Sequence, residues 1–250
     1  MRLIRPTRTL LAATAALLVA APPAAAVLQP TARIGGRITP DRGKPGTPLK
    51  LTTVFSIDPN PGETPGTLNR AVLQFPKNGI VNGHLFPSCS PEVINRTRSF
   101  RDCPKGSQIG KGRLLGDVPN LELRNVPGRV TLFNGPGGRS ITVHIYLTNP
   151  ALISIAFKAP LKRVRGKYGY TMVNPVPEGL QNLIPPDTFG ALRWLTATVG
   201  ITRKIRGRTR GFIEAGTCPK SGRVPIAGTF YFNEDNASTS TEGFIRCRPL

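Results

Sequence analysis

Residues 141–157 read Ile-Thr-Val-His-Ile-Tyr-Leu-Thr-Asn-Pro-Ala-Leu-Ile-Ser-Ile-Ala-Phe, a pattern that indicates the fold class. Apolar side chains occupy every second position from Ile141 to Leu147 and again from Ile153 to Phe157. Such alternation places apolar side chains on one face of a strand and polar ones on the other. Asn149-Pro150, between the two runs, is typical of a turn. The stretch therefore predicts two consecutive strands, each with one buried face.

The same alternation recurs on both sides of this stretch, at residues 49–57, 71–75, 195–201 and 230–232. Segments rich in Gly, Pro and Asn separate the runs, and the chain contains 27 Gly and 26 Pro, which excludes a protein of long helices. Short strands between such turns are typical of antiparallel sandwiches and barrels. We predict an all-β fold, an antiparallel β-sandwich architecture of two packed sandwich-like domains with little helix.

The domain organisation predicted from the sequence has three parts: a signal peptide at residues 1–26, an N-terminal β domain at 27–125 and a C-terminal β domain at 126–250. The boundary is placed in the segment Leu121–Pro127, which precedes the densest block of strands. Two short helices are expected, one starting after Ser90 with Pro91 at its first position, and one over Glu178–Leu183.

The first 26 residues have the three parts of a secretory signal peptide. Three arginines within the first eight residues precede an apolar stretch, Leu10–Ala21, and Ala24-Ala25-Ala26 forms a cleavage site of small residues. We predict cleavage between Ala26 and Val27 and a secreted, extracellular or envelope-associated protein. The alternative is an uncleaved N-terminal anchor. No later segment approaches the roughly 18 apolar residues of a membrane-spanning helix.

The four cysteines, Cys89, Cys103, Cys218 and Cys247, all follow the predicted cleavage site. An even number of cysteines in an exported chain indicates disulfides. Three connectivities are open, and we favour Cys89–Cys103 with Cys218–Cys247, because each pair closes a local loop. The alternative, a four-cysteine zinc site, lacks a C-x-x-C pair.

Charge is the feature that discriminates most among functions. The chain has 34 Lys and Arg against 13 Asp and Glu, a net charge of +21. Two segments around predicted hairpin turns concentrate the excess. Their basic residues are Lys158, Lys162, Arg163, Arg165 and Lys167 in the first, and Arg203, Lys204, Arg206, Arg208 and Arg210 in the second.

If both turns project from the same end of the fold, they would attract anionic polymers such as teichoic acids, acidic polysaccharide or anionic lipid. The alternative is that these arginines lie on solvated turns and keep the protein soluble. We expect no specific nucleic-acid partner, because the basic segments hold few aromatic residues on which bases could stack.

Catalytic motifs are scarce. Residues 106–112 resemble a phosphate-binding loop but lack its spacing and its Ser or Thr, and the glycines there are expected to serve turn and bulge geometry. The histidines, His84 and His144, are expected to lie at the surface, His144 on the polar face of a strand. We predict no catalytic residue, no metal and no cofactor. A glycosidase pair could still form from carboxylates distant in sequence, and candidate members are Glu122, Glu214, Glu234 and Asp235.

Several short motifs carry a family resemblance. They are Phe86-Pro87-Ser88-Cys89-Ser90, Cys103-Pro104-Lys105-Gly106-Ser107-Gln108-Ile109-Gly110-Lys111-Gly112, Leu132-Phe133-Asn134-Gly135, Gly166-Lys167-Tyr168-Gly169-Tyr170 and Cys218-Pro219. With them the chain resembles a group of secreted, β-rich actinobacterial proteins of unknown function. The resemblance implies an exported envelope or extracellular protein and brings no activity with it.

The sequence therefore favours a structural or binding module of the cell envelope or extracellular space over an enzyme, with the basic hairpins as its contact surface. One alternative is a secreted hydrolase acting on carbohydrate through a carboxylate pair. Another is a β-barrel that carries an apolar ligand, which would require a large cavity lined by inward-facing strand residues.

Overall fold

A computed structural model describes residues 30–233 and 237–250. The predicted signal peptide and its cleavage site lie outside these residues. The strands are β1 (Thr31–Thr39), β2 (Pro48–Asp58), β3 (Leu68–Pro76), β4 (Gly79–Val81), β5 (Gln108–Val118), β6 (Leu123–Asn134), β7 (Ser140–Leu147), β8 (Ile153–Arg163), β9 (Tyr168–Pro175), β10 (Asn182–Ile184), β11 (Thr188–Phe189), β12 (Ala191–Val199), β13 (Thr202–Ile205), β14 (Arg208–Gly211), β15 (Ile213–Ala215), β16 (Arg223–Phe232) and β17 (Ser238–Arg246).

Eleven of these strands form a closed barrel, in the order β1-β17-β16-β3-β9-β8-β7-β6-β5-β12-β2 and back to β1. Neighbours are antiparallel except β1 and β17, which are parallel. The all-β prediction is confirmed, but the strands close a barrel where a sandwich was expected. The alternation is the same in both architectures, and only the long-range pairing of β1 with both β17 and β2 makes the difference.

The seam between β1 and β17 depends on a glycine. A Cβ atom at Gly243 in β17 would overlap the carbonyl oxygen of Ile34 in β1. The absence of a side chain lets the two backbones approach closely enough to pair. Gly243 is therefore part of what closes the barrel.

Inward-facing residues are apolar and outward-facing residues are largely polar. On β12, for example, Leu195 and Ala197 face the interior, while Thr198 faces outward and its hydroxyl lies 2.8 Å from that of Thr52 on β2. Buried apolar residues inside the barrel form two clusters on opposite sides, and the partly buried Met172, Leu192 and Leu195 pack against both. A third cluster, which includes Ile94 and Phe133, lies outside the barrel interior. The alternating pattern in the sequence thus marks the two faces of the barrel wall.

The predicted domain boundary, between residues 125 and 126, falls inside β6, which is an antiparallel neighbour of β5 in the barrel wall. Strands from residues 27–125 and from residues 126–250 both contribute to the same closed sheet.

Both expected helices are present. Helix α1 (Pro91–Thr97) starts after Ser90, and α2 (Glu178–Gln181) ends earlier than predicted because Asn182 begins β10. No helix within residues 30–233 or 237–250 is long and apolar enough to cross a membrane.

The disulfides are Cys89–Cys103 and Cys218–Cys247, as predicted, and two disulfides are typical of an oxidising, extracellular environment. The first belongs to a lobe, residues 82–107, that packs on the outside of β6, β7 and β8. There the Asn95 side chain donates to the carbonyl of Ala156 in β8 (2.8 Å) and accepts from its N–H (2.7 Å). The Thr142 hydroxyl donates to the carbonyl of Cys89 (2.7 Å).

The prediction that His144 lies at the surface is wrong. This residue does point away from the barrel interior, but the lobe covers it and leaves only 3% of it exposed. Its Nε2 lies 2.9 Å from the Ser154 hydroxyl, and the Phe100 ring packs edge-on against the imidazole. Burial lowers the pKa of His144, and the nearby Arg129 lowers it further. His84 is exposed, as predicted.

Candidate functional site

The barrel encloses a cavity of about 320 Å³. Its lining comes from both apolar clusters, with residues such as Phe55 and Leu73 on one wall and Leu132 and Val143 on the other. A barrel with more than about eight strands has an interior too wide for side chains alone to fill, and such barrels commonly enclose ligand cavities. The volume lies at the lower limit of the roughly 300–1,000 Å³ typical of small-molecule sites.

Charge is confined to the two ends of this cavity. The charged lining residues are Asp41, Arg42, Asp117 and Arg248. Three of them lie just after the ends of β1 and β17, and Asp117 lies at the opposite end of the cavity, as the penultimate residue of β5. Between these ends the lining is apolar apart from single polar groups such as Thr53, so the cavity interior suits an uncharged group.

We name the two ends of the barrel by the charge of their connections. At the basic end, where β1, β3, β6, β8, β12 and β17 finish, the connections outside the lobe carry 13 Lys and Arg against 2 Asp and Glu. These connections are residues 40–47, 77–81, 135–139, 164–167, 200–222 and 247–250.

At the acidic end, four connections lie wholly within the described residues: 59–67, 119–122, 148–152 and 176–190. Together they contain four carboxylates and no Lys, Arg or His. The carboxylates are Glu63, Glu122, Glu178 and Asp187. The connections at the two ends of the barrel therefore carry opposite net charge.

Both predicted basic hairpins lie at the basic end. The β8–β9 turn carries Arg165 and Lys167, and the β13–β14 hairpin, which forms its own two-stranded sheet, carries the second group. Strands β8 and β12 lie on different sides of the barrel, with β7, β6 and β5 between them. The hairpins thus stand on opposite sides of the same mouth rather than forming one patch.

The ten basic residues differ in their surroundings. Lys158 lies within β8 on the outer wall, away from the turn, and Lys162 and Arg163 are the last two residues of that strand. Lys167 pairs with Glu242 (2.7 Å), and this pairing raises the pKa of the lysine. The remaining residues of the set lie in or beside the turns, where Arg203, Lys204, Arg206 and Arg208 are exposed.

Arg210 has a structural partner. Its guanidinium donates two hydrogen bonds to the carboxylate of Glu214 (2.8 and 3.0 Å), a residue only 2% exposed. The Gly211 N–H donates to the same carboxylate (3.0 Å). The hydrogen bonds from Arg210 are the main reason why the pKa of Glu214 is lowered. Arg210 therefore balances a buried charge and is not free to contact a ligand.

Among the chain segments that line the cavity at the basic end are 40–47, 215–218 and 247–248. The N–H of Gly46 donates to the carbonyl of Ala215 (2.7 Å), and that of Arg248 donates to the carbonyl of Asp41 (2.7 Å). The Cys218–Cys247 disulfide joins the second segment to the third. Sequence reasoning identified this disulfide but did not connect it with a cavity.

The carboxylates suggested for a glycosidase are dispersed. Glu122 lies in a turn at the acidic end, Glu214 is paired with Arg210 at the basic end, and Glu234 and Asp235 lie outside the described residues. The two carboxylates that line the cavity, Asp41 and Asp117, lie at opposite ends of it. Among the residues described, no three His, Cys, Asp or Glu side chains cluster as metal ligands would.

Comparison with known proteins found no matching family model, no matching curated protein and no matching solved structure, so the resemblance noted from the sequence stays a prediction.

Proposed function

We propose that this protein binds an apolar, chain-like ligand inside its barrel. The observation that carries the proposal is the apolar cavity inside the barrel, whose lining reaches from the basic end to the acidic end. Water in an apolar cavity of this kind finds few hydrogen-bond partners, so binding of an apolar group that fills the cavity is favourable.

The shape of the lining favours a chain over a compact ring system. Residues near both mouths, such as Arg248 and Asp117, belong to the same cavity as mid-strand residues such as Val143. An acyl or isoprenoid chain lying along the barrel axis would contact both apolar clusters at once. This proposal selects the barrel-carrier alternative among those raised by the sequence.

The test is a titration with N-phenyl-1-naphthylamine, an uncharged fluorophore whose emission rises in apolar surroundings. We expect saturable binding of one probe per barrel, and displacement by a long-chain alcohol but not by a short-chain one. An emission increase that does not saturate, or a probe that no long-chain compound displaces, would contradict the proposal.

As a second candidate function, we propose that the basic end contacts anionic polymers of the cell envelope. The observation that favours it is that both hairpins flank one mouth, whose connections carry a net charge of +11. Long-range attraction of this kind is screened by salt, with a Debye length of about 10 Å at 0.1 M.

The test compares binding to polygalacturonate at low and high salt. The variant replaces Arg203, Lys204, Arg206 and Arg208 by Gln and keeps Arg210, because its loss would strand the buried Glu214. The matched control replaces four basic residues of the barrel wall, Arg33, Lys111, Arg113 and Arg129. We expect the hairpin variant alone to lose most of the salt-sensitive binding. Equal losses in the hairpin and control variants would show that binding depends on net charge and not on the hairpins.

A further inference from the structure

We infer that the ligand is amphipathic, with its apolar chain in the cavity and an anionic head group, carboxylate or phosphate, at the basic end. Arg42 and Arg248 are assigned as the residues that hold this head group. The inference rests on the proposed function, because it names the chemical class of the ligand for the same cavity.

The first argument is the distribution of charge in the lining. The middle of the cavity offers no charged partner, so a head group buried there would lose its hydration without compensation. The two mouths are the only parts of the described lining where a charged group would meet charged side chains. An amphipathic ligand must therefore place its head at one mouth or the other.

The second argument is the sign of the charge at each mouth. At the basic end, Arg42 and Arg248 border the cavity, with Asp41 as the single carboxylate, and the hairpins add positive potential around them. At the acidic end, the lining residues Leu180 and Leu183 come from the 176–190 connection, which carries Glu178 and Asp187 and no basic residue. The connections therefore favour an anion at the first mouth over the second.

The third argument is the construction of the basic mouth. Arg248 follows the disulfide residue Cys247, and its side chain pairs with Asp41 (2.9 Å) while remaining 75% exposed. Arg42 is exposed and forms no ion pair among the described residues. Two guanidinium groups on segments tied by backbone hydrogen bonds and a disulfide can both donate charge-assisted hydrogen bonds to an oxyanion.

The experiment displaces N-phenyl-1-naphthylamine with three compounds of equal chain length: hexadecanoate, hexadecan-1-ol and hexadecyltrimethylammonium. We expect hexadecanoate to bind at least about tenfold more tightly than the alcohol, and the ammonium compound to bind most weakly. In R42Q/R248Q the advantage of hexadecanoate should largely disappear while the alcohol binds as before. Hexadecyl phosphate, run in parallel, distinguishes the two oxyanions.

The matched control is R33Q/R113Q, which removes the same charge from the exposed outer wall. It should keep the preference for hexadecanoate. Equal affinity for the acid and the alcohol, or a preference that survives in R42Q/R248Q, would overturn the inference and leave the cavity proposal intact. Failure of all the compounds to displace the probe would overturn the cavity proposal itself.

Discussion

Arg193 and Asp117 form an ion pair with a nitrogen–oxygen distance of 2.7 Å at the acidic end of the barrel. The same guanidinium donates to the carbonyl of Ile57 (2.9 Å) and reaches the carboxylate of Asp58 (3.3 Å). Asp117 also accepts the N–H of Asn125 (2.8 Å) and is only 5% exposed. One arginine in β12 therefore joins the ends of β2 and β5, its two neighbours in the barrel.

Replacing Arg193 by Met should destabilise the protein by about 2–4 kcal/mol, because Asp117 would remain buried without its partner. Urea unfolding followed by tryptophan fluorescence measures this. Asp58→Asn is the control, since Asp58 is about half exposed and its loss should cost less than about 1 kcal/mol. Equal effects of the two changes would show that the network does not stabilise this end.

Barrel closure predicts a difference between two glycines. Gly243→Ala should cost about 1–3 kcal/mol, because the new Cβ would overlap the Ile34 carbonyl and push β17 away from β1. Gly35→Ala, in β1 itself, meets no atom within 4 Å and should leave stability nearly unchanged. Thermal unfolding of both variants provides the measurement, and a Gly243→Ala protein as stable as the wild type would contradict the account of the seam.

The two disulfides should have different effects on ligand binding. Their loops of 14 and 29 residues each contribute about 3–4 kcal/mol in the chain-entropy model, so removing either should lower the unfolding temperature. Only Cys218→Ser/Cys247→Ser should also speed release of the bound probe, because this disulfide frames the mouth. Cys89→Ser/Cys103→Ser serves as control, and stopped-flow dilution gives the rates; the same release rate in both variants would argue against a ligand path through the basic end.

His144 makes stability depend on pH. Because its pKa in the folded protein is lower than in the unfolded chain, the unfolded state binds a proton first as the pH falls below about 6.5. Stability contributed by the neutral, buried imidazole is therefore complete above that pH and is lost as the pH falls.

His144→Gln should flatten the decline in stability between pH 7 and 5, since glutamine does not titrate; the range follows from the ordinary histidine pKa of about 6.5. Urea midpoints across this range provide the test, with the exposed His84→Gln as control. Glu92, Glu214 and Glu242 also have lowered pKa values, but the protonation of these carboxylates reduces stability only at lower pH. An unchanged slope in His144→Gln would assign the pH dependence to other groups.

The sequence predicted six of the barrel strands with their buried faces, the two disulfides and both short helices, because these depend on local periodicity and on loops of modest length. It did not predict the barrel strands β1, β5, β6, β9 and β17. It did not predict closure, since the pairing of Gly36 with Ile245 joins residues far apart in the chain and depends on the absence of a side chain at Gly243.

The sequence also could not show which polar faces are covered. Alternation placed His144 outside the barrel correctly, but the lobe that buries it is attached through contacts such as Asn95 with Ala156, which no periodicity reveals. The cavity was raised only as an alternative, because inward-facing residues such as Val143 follow the same pattern whether a barrel is filled or hollow. The charge difference between the ends depends on which connections meet at each end, and this follows from the strand order of the closed barrel.

The most direct test of the central claim places a phenylalanine in the cavity. Ala197→Phe and Ala71→Phe fill it from opposite walls, and Thr196→Phe puts the same side chain on the outer face beside Ala197. Titration with N-phenyl-1-naphthylamine should give at least about tenfold weaker binding for both cavity variants and wild-type affinity for Thr196→Phe. Folded Ala197→Phe and Ala71→Phe proteins that bind the probe as tightly as the wild type would contradict the claim that the ligand site lies inside the barrel.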